Sequence, residues 1–279
     1  MFRGSAERAV KRVGKDATME NPVVAGVLVA LVVPFLGNTL GAALVLFARH
    51  GMSERFTKAL LGFAAGVMIA ASVWSLIVPA LEAAEGGAVP SWLPVGAGFL
   101  GGMFLLLAID HFTPHLHVGS DEPEGPASAL KKPTMMLAAL AIHNLPEGMV
   151  VGLAAALALQ GEPEAVSGAL ALALGIGLQN IPEGAAVSLP LAQAGQGKRK
   201  AFCAGAASGL VEPLGALLAL ALAGWVSAAL PWLMSAAAGC MVCVTAQEMI
   251  PEAVEQDEPA GVISVVLGFA LMMALDIAL

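Results

Sequence analysis

The chain has 279 residues, 58% of them hydrophobic and only 12% charged, with a formal net charge of −8. A soluble globular domain carries about twice that charged fraction, so a water-exposed fold is disfavoured and no nucleic-acid partner is expected. Three cysteines give no disulfide framework.

Residues 1–21 are polar and carry Arg3, Arg8, Lys11, Arg12 and Lys15. No short apolar core with a cleavage site follows, so they read as a tail rather than a secretory signal. The remainder, 22–279, reads as one transmembrane domain. Eight apolar stretches have the ~20 residues that a helix needs to cross a bilayer: 22–47, 57–81, 91–109, 133–159, 164–192, 201–224, 229–250 and 260–279. A β-barrel would need short alternating segments. A soluble bundle would need polar faces that most of these stretches lack. The fold class is an all-α integral membrane protein with the lipid bilayer as its surroundings.

The first stretch is followed by Arg49, Arg55 and Lys58, and the second ends in the polar pair Glu82 and Glu85. The third contains Gly98-Phe99-Leu100-Gly101-Gly102, a small-residue run suited to packing helices or a homodimer. Asp110 and His111 close it, and loop 111–132 continues with His115, His117, Asp121, Glu122 and Glu124. That loop is either a solvated linker or a metal-receiving segment. The fourth stretch holds His143-Asn144-Leu145-Pro146-Glu147-Gly148, and the fifth repeats it as Gln179-Asn180-Ile181-Pro182-Glu183-Gly184. Glu212-Pro213 lies midway along the sixth. The seventh carries Cys240 and Cys243, which fit as small packing residues, with Cys243 on the same face as Gln247. Gln247, Glu248 and Glu252 at its end either pass metal onward or form an ordinary helix end among headgroups. Asp276 lies in the eighth.

Lys and Arg sort by side. Arg49, Arg55 and Lys58, then Lys131 and Lys132, then Lys198, Arg199 and Lys200 fall in loops of one face, and the opposite loops have none. Positive loops favour the cytoplasm, which places both termini outside; the basic tail argues the other way, and the three concordant loops outweigh it. Asn38-Thr39-Leu40-Gly41 resembles Glu212-Pro213-Leu214-Gly215, Ile77-Val78-Pro79 resembles Met249-Ile250-Pro251, and Gly98-Phe99 matches Gly268-Phe269, at offsets of 174, 172 and 170. Helices 1–3 and 6–8 are therefore expected to be inverted three-helix repeats around a central pair, 4 and 5, an arrangement found in transporters.

The doubled motif carries the chemistry. Positions i, i+3 and i+4 share a helix face, so His143, Asn144 and Glu147 stand together, as do Gln179, Asn180 and Glu183. Pro146 and Pro182 release the carbonyls of Ile142 and Leu178, which membrane helices tolerate where they line a cavity or meet a cation. Three uncompensated carboxylates at mid-bilayer would cost on the order of 9 kcal/mol, and no Lys or Arg in helices 4–6 offsets them. Protons or a metal cation must. Imidazole nitrogen with carboxylate and amide oxygen suits Zn²⁺, and also Fe²⁺, Mn²⁺, Co²⁺ or Cd²⁺. Protonated carboxyls that merely join helices are the bland alternative. An intramembrane metallohydrolase would need a base beside the ligating histidine, usually H-E-x-x-H, and here Asn144 follows His143. A proton-coupled carrier of an organic solute would hold no transition metal. The chain is expected not to be an enzyme and to hold no organic cofactor.

With these residues the chain resembles the ZIP (Zrt/Irt-like) divalent metal transporters, in the bacterial subgroup with the proline–glutamate motif. The resemblance implies a multi-pass protein of the bacterial inner (plasma) membrane that moves Zn²⁺ and related metals inward by alternating access, with helices 1, 4, 5 and 6 moving. It also implies two adjacent metal positions. One would use His143, Glu147, Glu183 and Glu212; the other, Asn144, Asn180, Glu183 and Glu212. The chain departs from other members at Gln179, where some have His, and at Asn180, where some have Asp.

Overall fold

A computed structural model describes residues 22–47, 53–115, 125–128, 132–159, 163–193, 195–223, 229–254 and 259–278. The polar tail 1–21, His117, and the acidic residues of loop 111–132 lie outside them, as does the side chain of His143. The described chain is helical. α1 is Pro22–Phe47 and α3 is Trp92–Phe112. α2 runs over Glu54–Ala71, widens into a π-helical turn at Ser72–Ile77, and ends with Val78–Ala83. α4 (Lys132–Ala158) and α5 (Pro163–Gln193) continue through their prolines. α6 has two pieces, Lys198–Ser208 and Val211–Ala223. α7 comprises Leu230–Val244, a second π turn at Thr245–Met249, and Ile250–Val254. α8 is Pro259–Ala278. The eight expected spans are all present. Among the described residues seven runs are long and apolar enough to cross a bilayer, and α4 carries a shorter apolar run, Asn144–Ala158, within its 27 residues.

Close packing through small residues organises the helices into parallel pairs. A Cβ added to Gly37 would collide with the carbonyl of Gly177, and one on Gly41 with that of Ile181, so α1 and α5 keep a constant separation of 140 in sequence. Gly148 meets Glu212 and Gly152 meets Ala216, a separation of 64 between α4 and α6. Gly62 meets Gly261 and Gly66 meets Val265, a separation of 199 between α2 and α8. Gly98 meets Trp232 and Gly102 meets Ala236, a separation of 134 between α3 and α7. A separation that stays constant along two helices means they run the same way. Without such backbone approach, helices in lipid lose most of the van der Waals contact that drives their association.

The pairing is itself symmetric. Exchanging helices 1–3 with 6–8 and 4 with 5 turns α1–α5 into α6–α4 and α2–α8 into α7–α3. The short connection between α4 and α5 makes them antiparallel; α1 runs with α5 and α6 with α4, so α1 and α6 run in opposite senses. The expected inversion of the repeats is thus present in the packing. The π turns obey it too, opening at Ser72 and Thr245, 173 residues apart. At each, the opening hydroxyl donates one turn back, Ser72 Oγ to Met68 O (2.8 Å) and Thr245 Oγ1 to Met241 O (2.7 Å).

Candidate metal site

The two motif copies and Glu212 converge where α4, α5 and α6 meet. Gln179 Nε2 donates to Glu147 Oε1 at 2.9 Å, which joins α5 to α4. Glu212 is gripped from both sides: Asn144 Nδ2 donates to its Oε1 at 3.1 Å and Asn180 Nδ2 to its Oε2 at 2.7 Å. Asn180 also reaches the carbonyl of Pro34 on α1, at 3.3 Å. All five side chains are buried, and Glu183, half-buried, is within electrostatic reach of both other carboxylates. His143 lies on α4 one turn before Glu147.

The glycines explain how backbones come this close. A Cβ at Gly148 would strike the backbone carbonyl of Glu212, so Gly148 lets α6 press Glu212 against the α4 motif. Gly184 does the same for Asn38 of α1.

The donors are used on the carboxylates, and the acceptors are left over. Asn144 Oδ1, Gln179 Oε1, Asn180 Oδ1 and Glu147 Oε2 are buried and have no hydrogen-bond donor among the described residues. Each such oxygen costs about 1–3 kcal/mol in a dry interior, and native proteins rarely keep one, let alone four together. A cation satisfies them at once. Among the described residues no three His, Cys, Asp or Glu side chains form a ready ligand cluster; the set is a mixed carboxylate–amide one, which suits a bound but mobile divalent ion.

The secondary candidates fare unequally. Asp110 Oδ1 and His115 Nε2 pair at 2.9 Å, and His115 Nδ1 meets Thr113 O at 2.7 Å, with the imidazole buried. His111 is exposed and stacks edgewise on Phe112, apart from that pair. Gln247 is exposed and Glu248 half-buried on the π turn of α7, where Cys243 Sγ approaches Gln247 Oε1 at 3.8 Å. Cys240 is buried against Gly102 O (3.2 Å), as a packing residue would be. Asp276 accepts from Ser75 Oγ at 2.7 Å, a polar contact between α8 and α2. The residue that sequence reasoning passed over is Asn38. Its signal was in the repeat, where it aligns with Glu212.

The family model described as the ZIP zinc transporter matches residues 133–276, which span both motif copies and Glu212. The zinc transporter ZIPB of Bordetella bronchiseptica is 41% identical over 88% of this chain and 78% of its own length. The zinc transporter GufA of Myxococcus xanthus is 34% identical over 90% and 98%. Human zinc transporter ZIP11 is 31% identical over 87% and 94%. The chain belongs to the ZIP zinc transporter family.

Proposed function

We propose that this protein carries a divalent transition metal into the cytoplasm, Zn²⁺ foremost with Cd²⁺, Fe²⁺, Mn²⁺ and Co²⁺ as relatives, through a two-position site at mid-membrane. The observation that carries this reading is the four buried oxygens, on Asn144, Gln179, Asn180 and Glu147, that have no donor among the described residues. Without metal, amide N–H groups hold the carboxylates. When a metal arrives, the amide oxygens that have no donor are free to meet it, so Asn144, Gln179 and Asn180 serve both states. His143, Glu147, Glu183 and Glu212 form one position; Asn144, Asn180, Glu183 and Glu212 form the other. A proton competes with metal for each carboxylate, which aids release.

Alternating access requires two bodies that slide. Within α1, α4, α5 and α6, and within α2, α3, α7 and α8, most close glycine contacts are made to backbone carbonyls. Between the two groups Gly175 of α5 faces the Met272 thioether and Val67. Flexible thioethers repack readily, so this boundary is the natural sliding surface. The termini lie outside, and the Asp110–His115 pair with Gln247 and Glu248 receives metal on the cytoplasmic side. Gly98 and Gly102 are taken up by α7 within the chain, so a homodimer would use another face of α3.

The reading is tested with purified protein in vesicles loaded with a zinc-sensitive dye. Wild type should take up zinc, and Glu183→Ala and Glu212→Ala should each abolish uptake. Undiminished uptake in both variants refutes the site. Family membership sets aside the metallohydrolase, and zinc retained on equilibrium dialysis would set aside an organic-solute carrier.

A further inference from the structure

Asn38 lies in α1, 1% exposed, and none of its hydrogen bonds reaches the carboxylate–amide cluster. Its Nδ2 donates to the carbonyl of Gly205 on α6 at 2.7 Å. In an unbroken helix that carbonyl accepts from the N–H of residue 209. Here the Gly209 N–H turns to Ala207 O, and Gly205 O accepts from Asn38 and from Ser208 Oγ, also at 2.7 Å. The break has a covalent cause. Pro213 has no N–H for the Gly209 carbonyl and its ring would collide with it. The backbone tightens to three-residue spacing, with Leu210 N–H on Ala207 O (3.1 Å) and Glu212 N–H on Gly209 O (3.3 Å). Glu212 lies in the first turn of the next helical piece, so the height and angle of this break decide where its carboxylate stands.

Asn38 fills the inside of the break. A Cβ at Gly209 would lie 2.9 Å from Asn38 Cγ, so only glycine leaves room for the amide. The repeat supplies a second, separate line. Asn38 and Glu212 are equivalent positions at the 174-residue offset. The backbone carbonyl of each rests on the glycine of a Pro-Glu-Gly motif, Gly184 for Asn38 and Gly148 for Glu212. Asn38 is therefore held on α5 at its own motif, a fixed point from which an amide can hold α6.

We propose that Asn38 is a positioning residue for metal binding: its amide pegs the α6 break at Gly205–Gly209 and so sets the place of the Glu212 carboxylate between Asn144 and Asn180. This rests on the metal-transport reading of that site.

The decisive variant is Asn38→Asp, which keeps the shape and replaces the N–H donor with an acceptor facing Gly205 O. Zinc-uptake kinetics in vesicles would be read beside amide hydrogen exchange over residues 205–212. The half-saturating zinc concentration should rise about tenfold, the size expected when a buried bond loses its donor. Turnover at saturating zinc should change less than about twofold, and exchange over 205–212 should quicken while the α5 motif is unaffected. Unchanged half-saturation, or a fall in turnover alone, overturns the proposal. Asn38→Ser, which keeps a shorter donor without charge, covers the case in which the Asp variant does not fold. Its half-saturation should fall between wild type and about tenfold, and a wild-type value overturns the proposal. If wild type itself moves no zinc, the transport reading fails. The exchange arm still decides the peg: faster exchange supports it and unaltered exchange overturns it.

Discussion

The α4–α6 half of the site and the α5–α1 half share one backbone and differ in chemistry. Both place a Pro-Glu-Gly glycine under a neighbouring carbonyl, Gly148 under Glu212 and Gly184 under Asn38. Yet where one half has His143 and Glu212, the other has Gln179 and Asn38. Packing tolerates no side chain at those glycines, so the symmetric frame is kept. Charge obeys another rule. A fourth buried carboxylate would raise the cost by another ~3 kcal/mol with no basic residue to offset it. The asymmetry leaves three acids, a number that one or two divalent ions would nearly neutralise, and gives the second half to amides whose N–H groups grip the acids.

The sharpest way to break this comparison is Glu212→Ala against Asn38→Ala. Removing Glu212 strips the site of a ligand and leaves Asn144 and Asn180 without their acceptor, so zinc affinity should fall at least about 100-fold. Asn38→Ala should cost about tenfold. Equal losses, read by zinc titration of the purified variants, would mean that the halves are functionally equivalent.

The glycines come next. Gly148→Ala and Gly184→Ala each drive a methyl into a backbone carbonyl, and overpacking of this kind costs about 1–3 kcal/mol. Thermal melts should show similar destabilisation in both. Zinc binding should separate them: Gly148→Ala shifts Glu212 directly, whereas Gly184→Ala shifts α1. A larger binding loss in Gly184→Ala would contradict the assignment of Glu212 as the shared ligand.

Asn180→Asp probes the same asymmetry by adding charge. The substitution surrenders the donor to Glu212 and to Pro34 O but supplies a stronger ligand at the second metal position. Metal analysis at saturation should rise toward two zinc ions per chain. A stoichiometry unchanged from wild type would remove Asn180 from the metal positions.

Much of this is legible in the amino-acid sequence. Charge scarcity and span length gave eight helices, because lipid forces every backbone group into internal hydrogen bonds. None of the helix ends departs from expectation by more than four residues, the largest departure being the end of α7 at Val254. Helix periodicity in the doubled motif put Asn144 with Glu147 and Gln179 with Asn180 on shared faces, and these side chains meet Glu212 in one buried cluster. Three features were not legible. The π turns in α2 and α7 insert a residue without a composition signal. The break in α6 follows from Pro213, but Pro146 and Pro182 have the same local chemistry and their helices continue; what differs is the surroundings, since Asn38 and Ser208 satisfy the exposed Gly205 carbonyl. And His115 falls in a loop that reads in sequence as either a solvated linker or a metal-receiving segment, yet it is buried against Asp110, a tertiary contact that periodicity cannot supply.

The smallest expected effect belongs to Gln179→His, which would restore on α5 the residue that α4 has at His143. Two consequences oppose each other. An imidazole nitrogen binds zinc better than an amide oxygen, which raises affinity. The 2.9 Å donation from Gln179 to Glu147 is lost unless the ring N–H takes it over, which lowers affinity by about 1 kcal/mol. Because imidazole can serve either role but not both from one nitrogen, the net gain should be only about three- to fivefold in zinc affinity. Titration with zinc and then cadmium measures it. A loss of affinity would show that Gln179 matters chiefly as the donor that holds Glu147, and the amide half of the site would then be the part that prepares the carboxylates rather than the part that binds the ion.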